Sequence, residues 1–329
     1  MKPFSILLIF GSLFIIAFNG STYRWGFYGH KRINRMAVFT LPPELFPLYK
    51  KHIEYITDHA PDPDKRRYAV EGEAENHYID LDRYYNGQGD VFEIVPKHWE
   101  DAVAKYTEDT LRAHGILPWN LDKMFVKLMF AFREKNLNKI LKYSADIGHY
   151  VGDAHVPLHT TKNYNGQFTN QYGIHGFWES RLPELFAEDY DYFAGKATFI
   201  KDPLDMAWQA VLESFRLKDT VLMIEAELSN QFPPDKKYSI ETRGRTTIKV
   251  YSYEFSKAYH EALQGMVEDR MRKSIIRLGS IWYTAWVKAG KPDVEDILRQ
   301  NLDIKELEEE YRRLQAEYEQ GKAKGRVCD

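Results

Sequence analysis

The stretch from His149 to Glu179 constrains this chain more than any other. It reads His149-Tyr-Val-Gly-Asp153-Ala-His155-Val-Pro157-Leu-His159, then a loop rich in glycine and asparagine, then His175-Gly-Phe-Trp-Glu179. His149/Asp153 and His175/Glu179 are spaced i,i+4, which on a helix puts both side chains of a pair on one face, one turn apart. Either pair alone fits a surface hydrogen bond. Together with His159, set past a helix-ending Gly152 and a rigid Pro157, they make a five-ligand set of imidazoles and carboxylates. That mixture suits zinc better than calcium or magnesium, which take oxygen shells. The frame must therefore be one that delivers helix-borne ligands to a multinuclear metal site.

Hydrophobic periodicity supports such a frame. Apolar residues recur at helical spacing over about 31–39, 43–57, 96–113, 121–135, 139–152, 204–230 and 254–289. Pro42 and Pro43 interrupt the first two, and Asp58-His-Ala-Pro61-Asp-Pro63-Asp64 reads as a turn-rich acidic loop. Strand-like alternation is confined to Thr246–Tyr251, which pairs with 238–242 as a small hairpin. The fold class is therefore all-α: a single multi-helix domain with at most a small β-hairpin. From Leu302 to Gln320 the chain is charged, with Leu307, Tyr311, Leu314 and Tyr318 at helical intervals, as expected of an amphipathic helix lying on the body.

Residues 1–20 carry one basic residue, an apolar run and then small polar residues, the pattern of a secretory signal peptide whose apolar core is short for a retained span. The expected layout is a leader with a short propeptide over 1–24, a metal-binding domain over 25–290 and a helical extension over 291–329. The mature protein is expected to be secreted or periplasmic, monomeric and without an obligate protein partner. Cys328 is the single cysteine, which excludes an intrachain disulfide, thiolate metal clusters and a CxxC redox motif. A formal net charge of -3 provides no general attraction to nucleic acid or anionic membrane, so an anionic substrate must be gripped locally.

Upstream, Asp58, His77 and His30 are candidates to complete the ligand set. Each has an ordinary alternative: a turn cap, a satisfied core histidine and a helix-start residue. The residues alone point to a metallohydrolase without fixing how many ions it holds.

The order Trp25-Gly-x-x-Gly-His30, Asp58, His77-Tyr-Ile-Asp80, His149-x-x-Gly-Asp153-x-His-x-Pro-Leu-His159 and His175-x-x-Trp178-Glu179 resembles the S1/P1 nuclease family, whose fold and metal site are shared with zinc-dependent phospholipase C. The resemblance spans about 25–290. It implies three zinc ions: one between Asp58, His77, His149 and Asp153, a second on His159, His175 and Glu179, and a third on His30, a bridging Asp153 oxygen and the amine and carbonyl of an N-terminal Trp25. It also implies a phosphodiesterase working through a hydroxide held between two zincs, with Asp58 orienting it and Asp153 bridging the metals. The substrate would be single-stranded nucleic acid or a 3′-nucleotide. Glu179, where nucleases usually carry aspartate, keeps phospholipid as the alternative substrate; the Trp25-to-His30 spacing follows the nucleases. A non-enzymatic helical protein with one structural zinc is the third reading. For substrate contacts the candidates are Tyr78, as a stacking ring or core packing, Asp80, on a base edge or behind His77, and Arg66 and Arg67, on a phosphate or as a solvated charge pair.

Overall fold

The computed structural model describes residues 27–243, 246–300 and 304–320; Trp25, the leader and Cys328 lie outside them. Eight helices frame the site: α1 (Phe27–Ala37), α2 (Ile53–Asp58), α3 (Asp62–Ala69), α4 (Leu117–Arg133), α5 (Leu137–Ala154), α6 (Pro203–Gln231), α7 (Met266–Lys288) and α8 (Ile304–Glu319). The two described strands, β1 (Tyr238–Arg243) and β2 (Thr246–Tyr251), form an antiparallel hairpin in which Tyr238 lies opposite Tyr251.

Helix α5 is the axis of the bundle. Asn136 caps it by accepting the Lys139 N–H at 3.0 Å, and every residue from Ser144 to Ala154 is buried. Such a helix needs neighbours on all sides, and α1, α2, α3, α4, α6 and α7 supply them. Helix α7 turns Trp282 and Trp286 into the core: Trp282 stacks on Tyr49 with ring centroids 4.4 Å apart, and the Tyr49 hydroxyl is 2.8 Å from Ser144 on α5.

Two glycines one turn apart let α1 approach α5 closely. A methyl group at Gly148 would come 2.0 Å from the Asn34 Oδ1, and one at Gly152 would come 2.8 Å from the His30 Nδ1. Gly152 thus does not end the helix, as the sequence suggested; α5 continues to Ala154, and Gly152 makes room for the His30 ring. Asn34 is fully buried and held by Nδ2–H donation to the carbonyls of Ile56 at 3.2 Å and Ala145 at 3.0 Å, so it cannot swing aside. Gly148→Ala gains about 1 kcal/mol of helix propensity but overpacks this contact and loosens the Asn34 bonds. The expected net loss is about 2 kcal/mol, read as a lower thermal midpoint; an unchanged midpoint would mean that Asn34 does not set the helix spacing.

Several predicted helices are broken in two. The 43–57 span divides at His52, the 96–113 span at Thr107, whose φ is 69°, and the 254–289 span at Gln264 and Gly265, with φ of 51° and 78°. The acidic segment after Asp58 is the reverse case. Pro61 and Pro63 predict a loop there, yet Asp62–Ala69 is helical. Pro63 stands in the first turn, where a missing N–H costs nothing.

Candidate metal centre

Helix α5 presents His149 and Asp153 one turn apart, both essentially inaccessible. His77 ends a short 3₁₀ turn (Ala74–His77), and His159 sits in another (Pro157–Thr160) started by Pro157. The two turns are laced together: the Ile79 N–H donates to the His159 carbonyl at 2.9 Å, and His159 Nδ1 donates to the His77 carbonyl at 2.5 Å. His175 lies in a helical turn opened by Gly173 at φ 89°, and Glu179 in the π-helical turn (Phe177–Arg181) that follows. Helix α1 contributes His30, whose ring stacks on His149 with centroids 3.9 Å apart.

The donor atoms fall into overlapping sets. His77 Nδ1 is 3.0 Å from Asp153 Oδ2 and 3.0 Å from His149 Nε2, and His149 Nε2 is 3.4 Å from the same carboxylate oxygen. His175 Nε2 is 2.7 Å and His159 Nε2 is 3.2 Å from Glu179 Oε2, and the two imidazole nitrogens are 3.2 Å apart. His30 Nε2 lies 3.2 Å from Glu179 Oε1 and 3.5 Å from Asp153 Oδ1. Asp153 and Glu179 therefore each turn one oxygen to a histidine pair and the other to His30.

These residues fit zinc. Ligand atoms about 2.0–2.1 Å from a tetrahedral ion stand roughly 3.3 Å from one another, close to the separations above. The hydrogen-bond pattern also turns lone pairs inward, where a cation can take them. His149 Nδ1 can only donate to the Ala60 carbonyl, 3.0 Å away, so in the neutral ring Nε2 offers a lone pair toward the Asp153 carboxylate. His159 is fixed in the same way by the His77 carbonyl and turns its Nε2 lone pair on Glu179. A lone pair facing a carboxylate in a buried site is well satisfied by a cation bound between them. A proton on His149 does not supply it at neutral pH: burial, with His30 beside it, pushes the His149 pKa down to about 4. Burial likewise holds His77 well below the usual histidine value, with Arg67 adding to it.

The structure brings together His30, His77, His149, Asp153, His159, His175 and Glu179. It does not bring Asp58. That residue ends α2 with its side chain 61% exposed, paired to Lys31 Nζ at 2.9 Å. Asp64, in the first turns of α3, takes the place expected of it: Asp64 Oδ1 lies 3.5 Å from His149 Nε2 and 3.8 Å from His77 Nδ1. Burial opposes ionisation of Asp64, but His149 and Arg67 outweigh it and hold the carboxyl well below the ordinary range. In Glu179 burial is likewise overcome, by His159, His175 and His30.

The proposed substrate contacts are also relocated. Tyr78 is buried beneath Gly115, where even a methyl group would come 2.5 Å from its ring, so it packs the core and offers no open face. Asp80 is buried and faces Arg83 at 3.5 Å. Arg66 is not a solvated side chain; it donates to Asp146 at 3.0 Å and faces Glu73 at 3.5 Å, and Glu73 in turn accepts from the Tyr150 hydroxyl and lies 3.5 Å from His77 Nε2. Arg67, 3.6 Å from Asp64, braces that carboxylate. His155 points away from the cluster to the Val151 carbonyl and Arg277. Sequence reading missed Asp64 and Glu73. The signal for Asp64 was the Pro-Asp-Pro-Asp helix start followed by Arg67 at i+3; for Glu73 there was none beyond its i,i+4 spacing to His77.

A family model described as zinc dependent phospholipase C matches residues 29–231, well over half of the 329-residue chain, and the chain belongs to that family. The match contains every candidate ligand from His30 to Glu179. Membership implies a zinc-dependent phosphoester hydrolase, and the helical architecture with its lone hairpin among the described residues agrees with it. Comparison with curated proteins finds no match.

Proposed function

We propose that the protein is a secreted zinc-dependent phosphodiesterase that hydrolyses single-stranded nucleic acid, with three zinc ions in the centre described above. One observation carries the phosphodiesterase reading: two tautomer-fixed histidines and two shared carboxylates converge on sets of donors more numerous than one closed four-ligand structural site requires. The order and spacing of the motif around His30 support nucleic acid as the substrate.

Zinc bound there would lower the pKa of a water from about 16 toward about 7 and offset charge on phosphoryl oxygens. The protein's part is positioning. Asp153 and Glu179 hold adjacent sets at fixed spacing, while Ala60 and His77 carbonyls keep His149 and His159 in the ligating tautomer. Asp64, at the accessible edge and steadied by Arg67, orients the attacking water, the role the sequence had assigned to Asp58. The loop between Thr160 and Ile174 forms the rim; Asn165 Oδ1 accepts the Gly173 N–H at 2.9 Å and keeps Tyr164 against His175, ring centroids 6.0 Å apart.

Phospholipid is the second reading, favoured by Phe168 and Tyr172, which are 66% and 64% exposed on that rim. Single-stranded DNA and RNA assayed beside phosphatidylcholine, at matched enzyme and zinc, decide between them, and selective cleavage of the lipid overturns the nuclease assignment. Stripping metal with a chelator is expected to remove activity and lower the thermal midpoint, and zinc to restore both. Full phosphodiesterase activity in protein shown by elemental analysis to be metal-free would refute the mechanism.

A further inference from the structure

A groove of about 830 Å³ runs along the outer side of the segment that carries His175 and Glu179. Gly173, Gly176, Phe177, Ser180 and Arg181 form one wall, so the groove and two of the zinc ligands share one stretch of backbone. The β-hairpin forms the opposite wall, and Tyr318 of α8 and Tyr68 of α3 close one end, 4.9 Å apart between ring centroids. Hairpin and α8 both lie beyond the family match, which stops at residue 231.

The walls are rigidly joined. The Tyr251 ring stacks on Phe177 at 3.8 Å. Glu225 on α6, completely buried, accepts from Gln171 of the rim loop at 2.5 Å and pairs with Lys237 of the hairpin at 2.7 Å. A two-stranded hairpin is marginal alone; here a buried carboxylate and an aromatic stack hold it against the ligand-bearing segment.

Its chemistry differs from that of the rest of the chain. Between Lys236 and Tyr251 five basic residues (Lys236, Lys237, Arg243, Arg245, Lys249) stand against the single acid Glu241, in a protein whose net charge is -3. Lys237 and Arg181 are neutralised by Glu225 and Glu241, whereas Lys249 lies exposed over the Tyr238 ring, 3.9 Å from its centroid. Five of the lining residues are tyrosines, and Tyr172 stands open to solvent. Tyrosine rings set beside the Lys249 ammonium suit stacked bases and their phosphates.

We propose that this groove binds the single strand flanking the scissile phosphodiester, with Tyr172 as a stacking platform and Lys249 as a phosphate contact. The proposal rests on the nucleic-acid reading above. It is tested on the zinc-loaded full chain by fluorescence anisotropy with a labelled, hydrolysis-resistant phosphorothioate dT20, and by turnover of dT20 against the dinucleotide. Tyr172→Ala and Lys249→Glu should each raise Kd for dT20 by roughly tenfold, with Lys249→Glu lowering the salt slope by about one. Both should also cut kcat/KM for dT20 more than for the dinucleotide. Variants that bind and cleave dT20 like the parent, in an enzyme that does hydrolyse the dinucleotide, overturn the groove alone. If the parent neither cleaves the dinucleotide nor binds dT20, and the variants instead lose binding to phosphatidylcholine vesicles, the nucleic-acid reading falls and the groove proposal falls with it.

Discussion

Asp153→Asn is expected to lower phosphodiesterase kcat/KM by about 10³-fold or more with the fold intact. The substitution keeps shape and volume at a position only 1% exposed, so packing around α5 is undisturbed. What it removes is the negative charge that two donor sets share: one oxygen faces His77 and His149 at 3.0 and 3.4 Å, the other His30 at 3.5 Å. An amide must turn its N–H₂ toward one set, where it donates to imidazole lone pairs and occupies the space a cation needs. The metal-free protein is therefore no less stable, while zinc content and the charge stabilisation that depends on it fall together. Elemental analysis alongside steady-state kinetics checks both parts. Near-normal turnover in a correctly folded variant would remove Asp153 from the chemistry.

Asp64→Asn should cost on the order of 10²-fold in activity, and Asp58→Asn less than about twofold. Asp64 faces His149 and His77 from a half-buried position and is braced by Arg67. Asp58 contributes one exposed pair with Lys31, an interaction worth roughly 0–1 kcal/mol. Measured under the same conditions, the two variants separate the structural assignment from the one the sequence suggested. A large loss in Asp58→Asn with Asp64→Asn unaffected would reverse it.

How far the site was legible depends on how each ligand is carried. His149/Asp153 and His175/Glu179 could be read because local helical geometry alone puts residues four apart on one face. His30 and His77 had no such partner; motif order, not periodicity, pointed to them. Asp58 was mistaken for Asp64 because three aspartates crowd one proline-broken segment, and proline ends a helix or starts one depending on its place in the first turn. Asp62 illustrates the difficulty: it lies between the two and is spent on His59 and Lys65, at 2.6 and 3.0 Å.

Arg66 and Tyr78 failed for a related reason. Tyr78 directly follows His77, and Arg66 lies two residues after Asp64 on a helix, so each side chain leaves the backbone in a different direction from its neighbouring candidate ligand. Only the burial of Tyr78 under Gly115 and the pairing of Arg66 with Asp146 show which way each points.

By itself, then, the sequence determined a helical frame, a histidine–carboxylate chemistry free of thiolates and the two candidate ligand pairs His149/Asp153 and His175/Glu179, since periodicity, composition and spacing are local properties of the chain. The tertiary structure alone decided which aspartate completes the set, that Gly148 and Gly152 let α1 bring His30 onto His149, and that a basic hairpin lies against the His175–Glu179 segment. Those depend on contacts between residues far apart in the chain, where side-chain direction and close approach, not spacing, set what meets what.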